Sequence, residues 1–161
     1  MMIRPEIAID AEAIDVVTEA AFGQRDEADL ISALRISGDI ELSLVAEEAG
    51  GVAGHVLFTR LASPEDCLAL GPVSVLPAWQ GHGVGSRLIR EGLKRLGEGD
   101  WRGVFLLGEP DYYARFGFSL DAAEGFETPY PTDYFMALEL QPRGLEKRSP
   151  VVYAGPFKAL G

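Results

Sequence analysis

The residues best suited to chemistry fall in one stretch, Val73-Ser74-Val75-Leu76-Pro77-Ala78-Trp79-Gln80-Gly81-His82-Gly83-Val84-Gly85-Ser86. Alternating Gly81, Gly83 and Gly85 permit positive φ and remove side chains that would hold a ligand away from the main chain, so their amide N–H groups can turn toward an anion. From Val84 onward, Leu88, Ile89, Leu93 and Leu96 recur at helical period, with Arg87, Arg90, Glu91, Lys94 and Arg95 on the other face. The loop therefore opens a helix whose first-turn N–H groups and dipole favour a phosphate or pyrophosphate. Two other phosphate loops fit poorly: a dinucleotide fingerprint needs its third glycine where Ser86 stands, and a P-loop needs a Gly-Lys-Ser/Thr triplet that does not occur.

The elements that must position this loop can be read around it. Residues 68–76 are apolar enough for a buried strand, and Gly71-Pro72 inside that run predicts a bulge, because proline cannot donate to a ladder. Residues 3–9 predict a first strand. Two helices follow, the first N-capped by Asp10 and closed by Gly23, the second over 27–36 and ended by Gly38-Asp39. Residues 42–47 and 52–61 read as a hairpin about Glu48-Ala49-Gly50-Gly51. Beyond the central helix come a buried parallel strand at 103–108, a short helix at 111–116, and strands at 134–140 and 151–153. A strand, crossover helix and parallel strand form a right-handed unit, which sets the glycine loop at the strands' carboxyl ends.

Composition narrows the partners. A chain of 161 residues, 47% hydrophobic and 24% charged, reads as one domain over 1–161 with a sizeable core. No apolar run approaches the roughly 20 residues of a membrane span, so a cytoplasmic protein without a membrane partner is expected. The formal charge of −11 argues against nucleic acid and suits a cationic substrate. One cysteine, Cys67, and two histidines argue against an ordinary metal site, and Cys67 reads as a small core residue.

Gln80-x-x-Gly83-x-Gly85, directly after a strand ending Val-x-Pro, resembles the coenzyme A signature of the GCN5-related N-acetyltransferases, the GNAT family. Asp111-Tyr112-Tyr113-Ala114-Arg115-Phe116-Gly117-Phe118 matches that family's Tyr-x-x-x-Gly-Phe ending. Leu-Gly-Pro at 70–72, Gly-His-Val-Leu-Phe at 54–58 and Phe-Met-Ala-Leu-Glu-Leu at 135–140 look like its YhbS-like branch, and the order of elements is similar over nearly the whole chain. The resemblance implies an α/β (α+β) GNAT fold, with a mixed, mostly antiparallel central sheet of about seven strands flanked by helices and splayed at strands 4 and 5.

It also implies acetyl-CoA as acyl donor, an amine-bearing acceptor, and direct transfer without a covalent enzyme intermediate. The pantetheine would pair with the main chain of Val73, Ser74 and Val75, and the pyrophosphate would rest on Gln80, Gly81, His82, Gly83, Val84 and Gly85, assisted by Ser86. Arg87 or Arg90 could meet the adenosine phosphates, or both could be solvated helix charges. Tyr113, four residues before Gly117, falls at the family's general acid, with Tyr112 one place away. A phenol of pKa about 10 stays protonated at pH 7 and can donate to a thiolate. A main-chain N–H at Val75 would polarise the thioester carbonyl.

For the base, Glu109 comes first, because it ends the fifth strand at the cleft; Asp111, Glu47 and His55 follow, and His55 reads rather as an interstrand histidine. Many family members carry asparagine near this position, where Glu109-Pro110-Asp111 stands here. Tyr130, between two prolines, is set at the acceptor pocket. A homodimer through the last strands is the expected assembly. An acyl-CoA-binding module without turnover, and an acyltransferase using another acyl group, stay open as alternatives.

Overall fold

The computed structural model describes residues 1–160, with side chains through Lys158. Strand formation follows the apolar runs. β1 (Met2–Pro5), β2 (Ile40–Glu48), β3 (Gly51–Arg60), β4 (Cys67–Val75), β5 (Gly103–Leu107) and β6 (Phe135–Glu139) lie side by side in chain order. All neighbours are antiparallel except β4 and β5. The β2–β3 turn places both Ala49 and Gly50 at positive φ, matching the twist of a tight hairpin.

Helices α1 (Ala11–Phe22) and α2 (Asp26–Ser37) each end at a left-handed glycine, Gly23 and Gly38. They lay Ile14, Leu30, Ile31 and Leu34 on Val45 and Leu57 of the sheet. Helix α3 (Val84–Gly97) covers the opposite face, where Leu88 and Ile89 meet Phe58 and Val104. Each fully buried Leu or Ile contributes about 1.5–3 kcal/mol, so these faces fix the sheet between its helices. A third cluster stacks Phe105 on Phe135 and edge-on to Phe126, near the short α5 (Leu120–Ala123). No helix among the described residues is long and apolar enough to cross a membrane.

Two irregularities of β4 position the site. Val56 stands opposite Val73 and Phe58 opposite Leu70, so Gly71 and Pro72 together face the single Leu57. This is the expected bulge; Gly71 has φ +138°, and Pro72 has no N–H to lose from the ladder. β4 then pairs with β5 only from Cys67–Gly103 to Ala69–Phe105. Beyond that the two strands part, while Leu106 and Leu107 stay paired with β6.

The sheet departs from the sequence expectation at both ends. The first strand stops at Pro5, because Asp10 draws the chain into a tight turn by accepting from the Ile7 N–H at 2.7 Å and from Arg4 at 2.8 Å. That use of its carboxylate replaces the expected side-chain cap on α1. Among the described residues the sheet has six strands rather than seven. Residues 151–153 make one antiparallel bridge, Val152 with Ser63, because the outer edge of β6 is already bridged by Ser119 to Ala137.

Candidate active site

Two hollows meet along the carboxyl half of β4. The first is built from main chain. Gly81 and Gly83 adopt φ of +81° and +79°, which let the loop fold back before α3. No side chain caps α3, so the N–H groups of Val84, Gly85 and Ser86 are left for an anion. A Cβ on Gly85 would lie 3.5 Å from the Tyr112 hydroxyl and 3.7 Å from Val75, so its absence keeps this hollow open. Gln80 anchors the loop by donating to the Val75 carbonyl at 3.0 Å. The Ser86 and Tyr112 hydroxyls lie 3.3 Å apart on the hollow's wall. His82 is exposed and meets the Trp79 ring edge-on.

The cation in this hollow is Arg115, whose guanidinium sits 4.6 Å from the Tyr112 ring centre. Arg87 and Arg90, the sequence candidates, line a separate depression beside Met1 and Met2. Arg87 bonds the Met1 carbonyl there, and Arg90 lies over Phe116.

The second hollow is a cavity of about 520 Å³ opened by the parting of β4 and β5. Val73, on β4, lines it, and Val75 lines the loop hollow, so the main chain of 73–75 joins the two. Ser74 is buried instead, its hydroxyl donating at 3.4 Å to Thr18 on α1. Consecutive helical residues point about 100° apart, and α4 (Pro110–Tyr113) uses this to divide its tyrosines. Tyr112 faces the loop hollow and Tyr113 the cavity. Burial, with a smaller contribution from Tyr112, pushes the Tyr113 phenol up to about 12.

The base candidates scatter. Glu109 is exposed at the start of α4, its carbonyl accepting the Tyr113 N–H at 3.0 Å, and its position is two residues beyond the cavity-lining Leu107. Asp111 is exposed as well. Glu47 is bound by Arg4 at 2.9 Å. His55 is fully buried beneath α1 and α2, with Nε2 2.8 Å from Ser43 Oγ. Desolvation, with a smaller effect from Arg35, lowers its pKa to about 3, so the ring stays neutral. Burial likewise raises the Cys67 thiol to about 11 and leaves it inert. No cluster of three His, Cys, Asp or Glu side chains able to hold a metal occurs among the described residues.

Tyr130 lines the cavity, together with three aromatic side chains that the sequence did not single out: Phe22 at the end of α1, Tyr153 and Phe157. Glu27 of α2 also lines it and was missed. Nothing local distinguishes Glu27 from the other acids of α2's first turn, Asp26 and Asp29. Arg115 did carry a signal, since it stands inside the Tyr-x-x-x-Gly-Phe motif.

A parallel strand pair parting beside an uncapped, glycine-opened helix start is the arrangement that the family resemblance implies, and comparison with known proteins gives the same family. Residues 39–120 match the acetyltransferase (GNAT) domain. The chain is 41% identical over 130 residues to the uncharacterized N-acetyltransferase YjhQ of Escherichia coli K12, covering 76% of this chain and 72% of that one. Among solved structures, the E. coli GNAT N-acetyltransferase YhbS in complex with CoA superposes with a TM-score of 0.92 at 33% identity, covering 99% of this chain and 93% of that one. A GNAT acetyltransferase of Brucella melitensis in complex with acetyl-CoA superposes at 0.83, with 40% identity and 97% of both chains covered. The chain belongs to the GNAT acetyltransferase family.

Proposed function

We propose that this chain is an acetyl-CoA-dependent N-acetyltransferase that passes acetyl directly to an amine. The observation that carries the reading is the junction at 73–75, where a strand freed from its neighbour joins an uncapped helix start to a cavity walled by a buried phenol. The glycine loop fits a pyrophosphate: positive φ at Gly81 and Gly83 and the missing Cβ at Gly85 make room for phosphate oxygens against main-chain N–H groups. Val73 and Val75 would offer main-chain pairing to the pantetheine.

Acetyl-CoA, when bound, supplies an activated acetyl; the amine nitrogen forms the new C–N bond as the C–S bond breaks, giving an amide and CoA thiol. The chain's own groups manage the protons. Tyr113 holds its proton at every working pH and donates it toward the departing sulfur. Full transfer from a phenol near 12 to a thiolate of ordinary pKa about 8.5 is uphill, so the hydrogen bond itself supplies much of the stabilisation. The proton lost by the amine leaves by water toward Glu109, the exposed carboxylate two residues beyond the cavity-lining Leu107, and the Val75 N–H is the donor assigned to the carbonyl oxygen.

The test is thiol release from acetyl-CoA against a panel of amines. Stoichiometric CoA and acetylated amine support direct transfer. Acetyl-CoA binding without release to any amine contradicts it and favours a binding module.

A further inference from the structure

The cavity's acceptor side is an aromatic enclosure with a single acid. Tyr130 packs edge-on to Tyr153 with ring centres 5.2 Å apart, and Tyr153 packs on Phe157 at the same separation. The segment that brings Tyr153 and Phe157 is fixed against α2, because Ala154 is buried in the α1–α2 cluster and Phe157 packs on it. About 520 Å³ must hold both the reactive end of the donor and the acceptor, which is small-molecule scale.

Among the described residues lining this cavity, Glu27 is the one carboxylate, and no lysine or arginine contributes. Among the described residues its oxygens accept only from the neutral Gln24 amide, at 3.0 and 3.2 Å. The nearby cation, Arg25, is already held by Asp15, Glu19 and Asp29 at 2.6, 2.9 and 3.1 Å. Glu27 therefore presents to a chamber of aromatic rings a carboxylate that no cationic side chain among the described residues pairs with. Aromatic faces and a carboxylate both attract ammonium, and flat apolar groups stack on the same rings.

We infer that the acceptor is a small primary amine with an aromatic or similarly flat apolar body, and that Glu27 holds its ammonium while the body lies among Tyr130, Tyr153 and Phe157. This rests on the acetyltransferase reading and names the acceptor class of that same site. Glu27 is a specificity-determining residue in this account, with Glu109 left to receive the proton. The net charge of −11 would draw such a cation toward the protein.

The experiment is calorimetric titration of 2-phenylethylamine and of its neutral counterpart, 2-phenylethanol, into the protein alone and saturated with CoA, for wild type and Glu27→Gln. Wild type is expected to bind the amine roughly tenfold or more tightly than the alcohol. In Glu27→Gln the two should converge to within about twofold, with CoA affinity unchanged as evidence of an intact fold. An amine bound no better than the alcohol, a preference surviving in Glu27→Gln, no binding of either compound, or faster acetylation of a lysine peptide than of the amine overturns the inference. Failure of wild type to bind CoA would instead bring down the acetyltransferase reading on which it rests.

Discussion

The two hollows beside β4 are made of different materials. The loop hollow is main chain, taken largely from one continuous segment between Val75 and Ser86, with Tyr112 and Arg115 added from α4 and the turn after it. The cavity is largely side chain, drawn from α1, α2, β4, β5, α4, the turn at Tyr130 and the carboxyl-terminal segment. A main-chain site needs only permissive φ and missing Cβ atoms, so its chemistry is generic and tolerant of what surrounds it. A side-chain site takes its character from whichever residues distant segments bring together. The first kind suits a donor shared by a whole family, and the second suits an acceptor that differs between members.

The sharpest way to break this contrast is to put a side chain where the loop must have none. Gly83→Asp forces a left-handed φ on a residue with a Cβ and sets a carboxylate at the expected pyrophosphate. Calorimetry should show acetyl-CoA binding lost, while the circular dichroism spectrum is retained; normal affinity would remove the loop from donor binding. A smaller effect sharpens the assignment of the cation. Arg115→Ala should weaken acetyl-CoA by roughly three- to tenfold, as expected for an exposed charge near phosphate. Arg87→Ala, altering a residue that lines a different depression, should leave affinity within about twofold. A reversed order would return the phosphate contact to the face of α3.

The same division accounts for what could be read from the sequence. The loop, the bulge at Gly71-Pro72 and the central helix were legible, since glycine and proline state backbone requirements locally and the helix shows its period; the parting of β4 from β5 was expected only from the family resemblance. Glu27, Phe22, Tyr153 and Phe157 were not, because their joint presence in one cavity is set by how α1, α2 and the last segment pack. The seventh strand failed for a related reason: residues 151–153 have suitable apolar residues, but Ser119 had taken the free edge of β6. Tyr112 and Tyr113 could not be ranked by spacing alone; the one-residue rotation along α4 separates them.

His55 provides the smallest test, away from both hollows. Its folded pKa of about 3 lies below the ordinary 6.5, so the neutral ring is favoured in the fold. Its contribution is fully present above about pH 6.5 and is lost as pH falls toward 3, by up to about 1.4 kcal/mol per pH unit. Asp10, whose pKa is lowered chiefly by its hydrogen bond to Arg4, loses its own contribution only further down, in the carboxylate range. Urea unfolding between pH 6.5 and 4.5 should therefore show a slope in wild type that is shallower in His55→Gln. Equal slopes would mean that His55 charges without cost and is not the sealed interstrand residue described here.

The most direct test of the central account is single-turnover thiol release from prebound acetyl-CoA on mixing with a competent amine, followed from pH 6 to 11, for wild type and Tyr113→Phe. With the phenol near 12, the wild-type rate should rise as the amine deprotonates and show no downturn within this range. Tyr113→Phe should slow release by about 10²-fold with acetyl-CoA affinity intact. An unchanged rate in Tyr113→Phe would contradict the mechanism and leave the cavity phenol as packing.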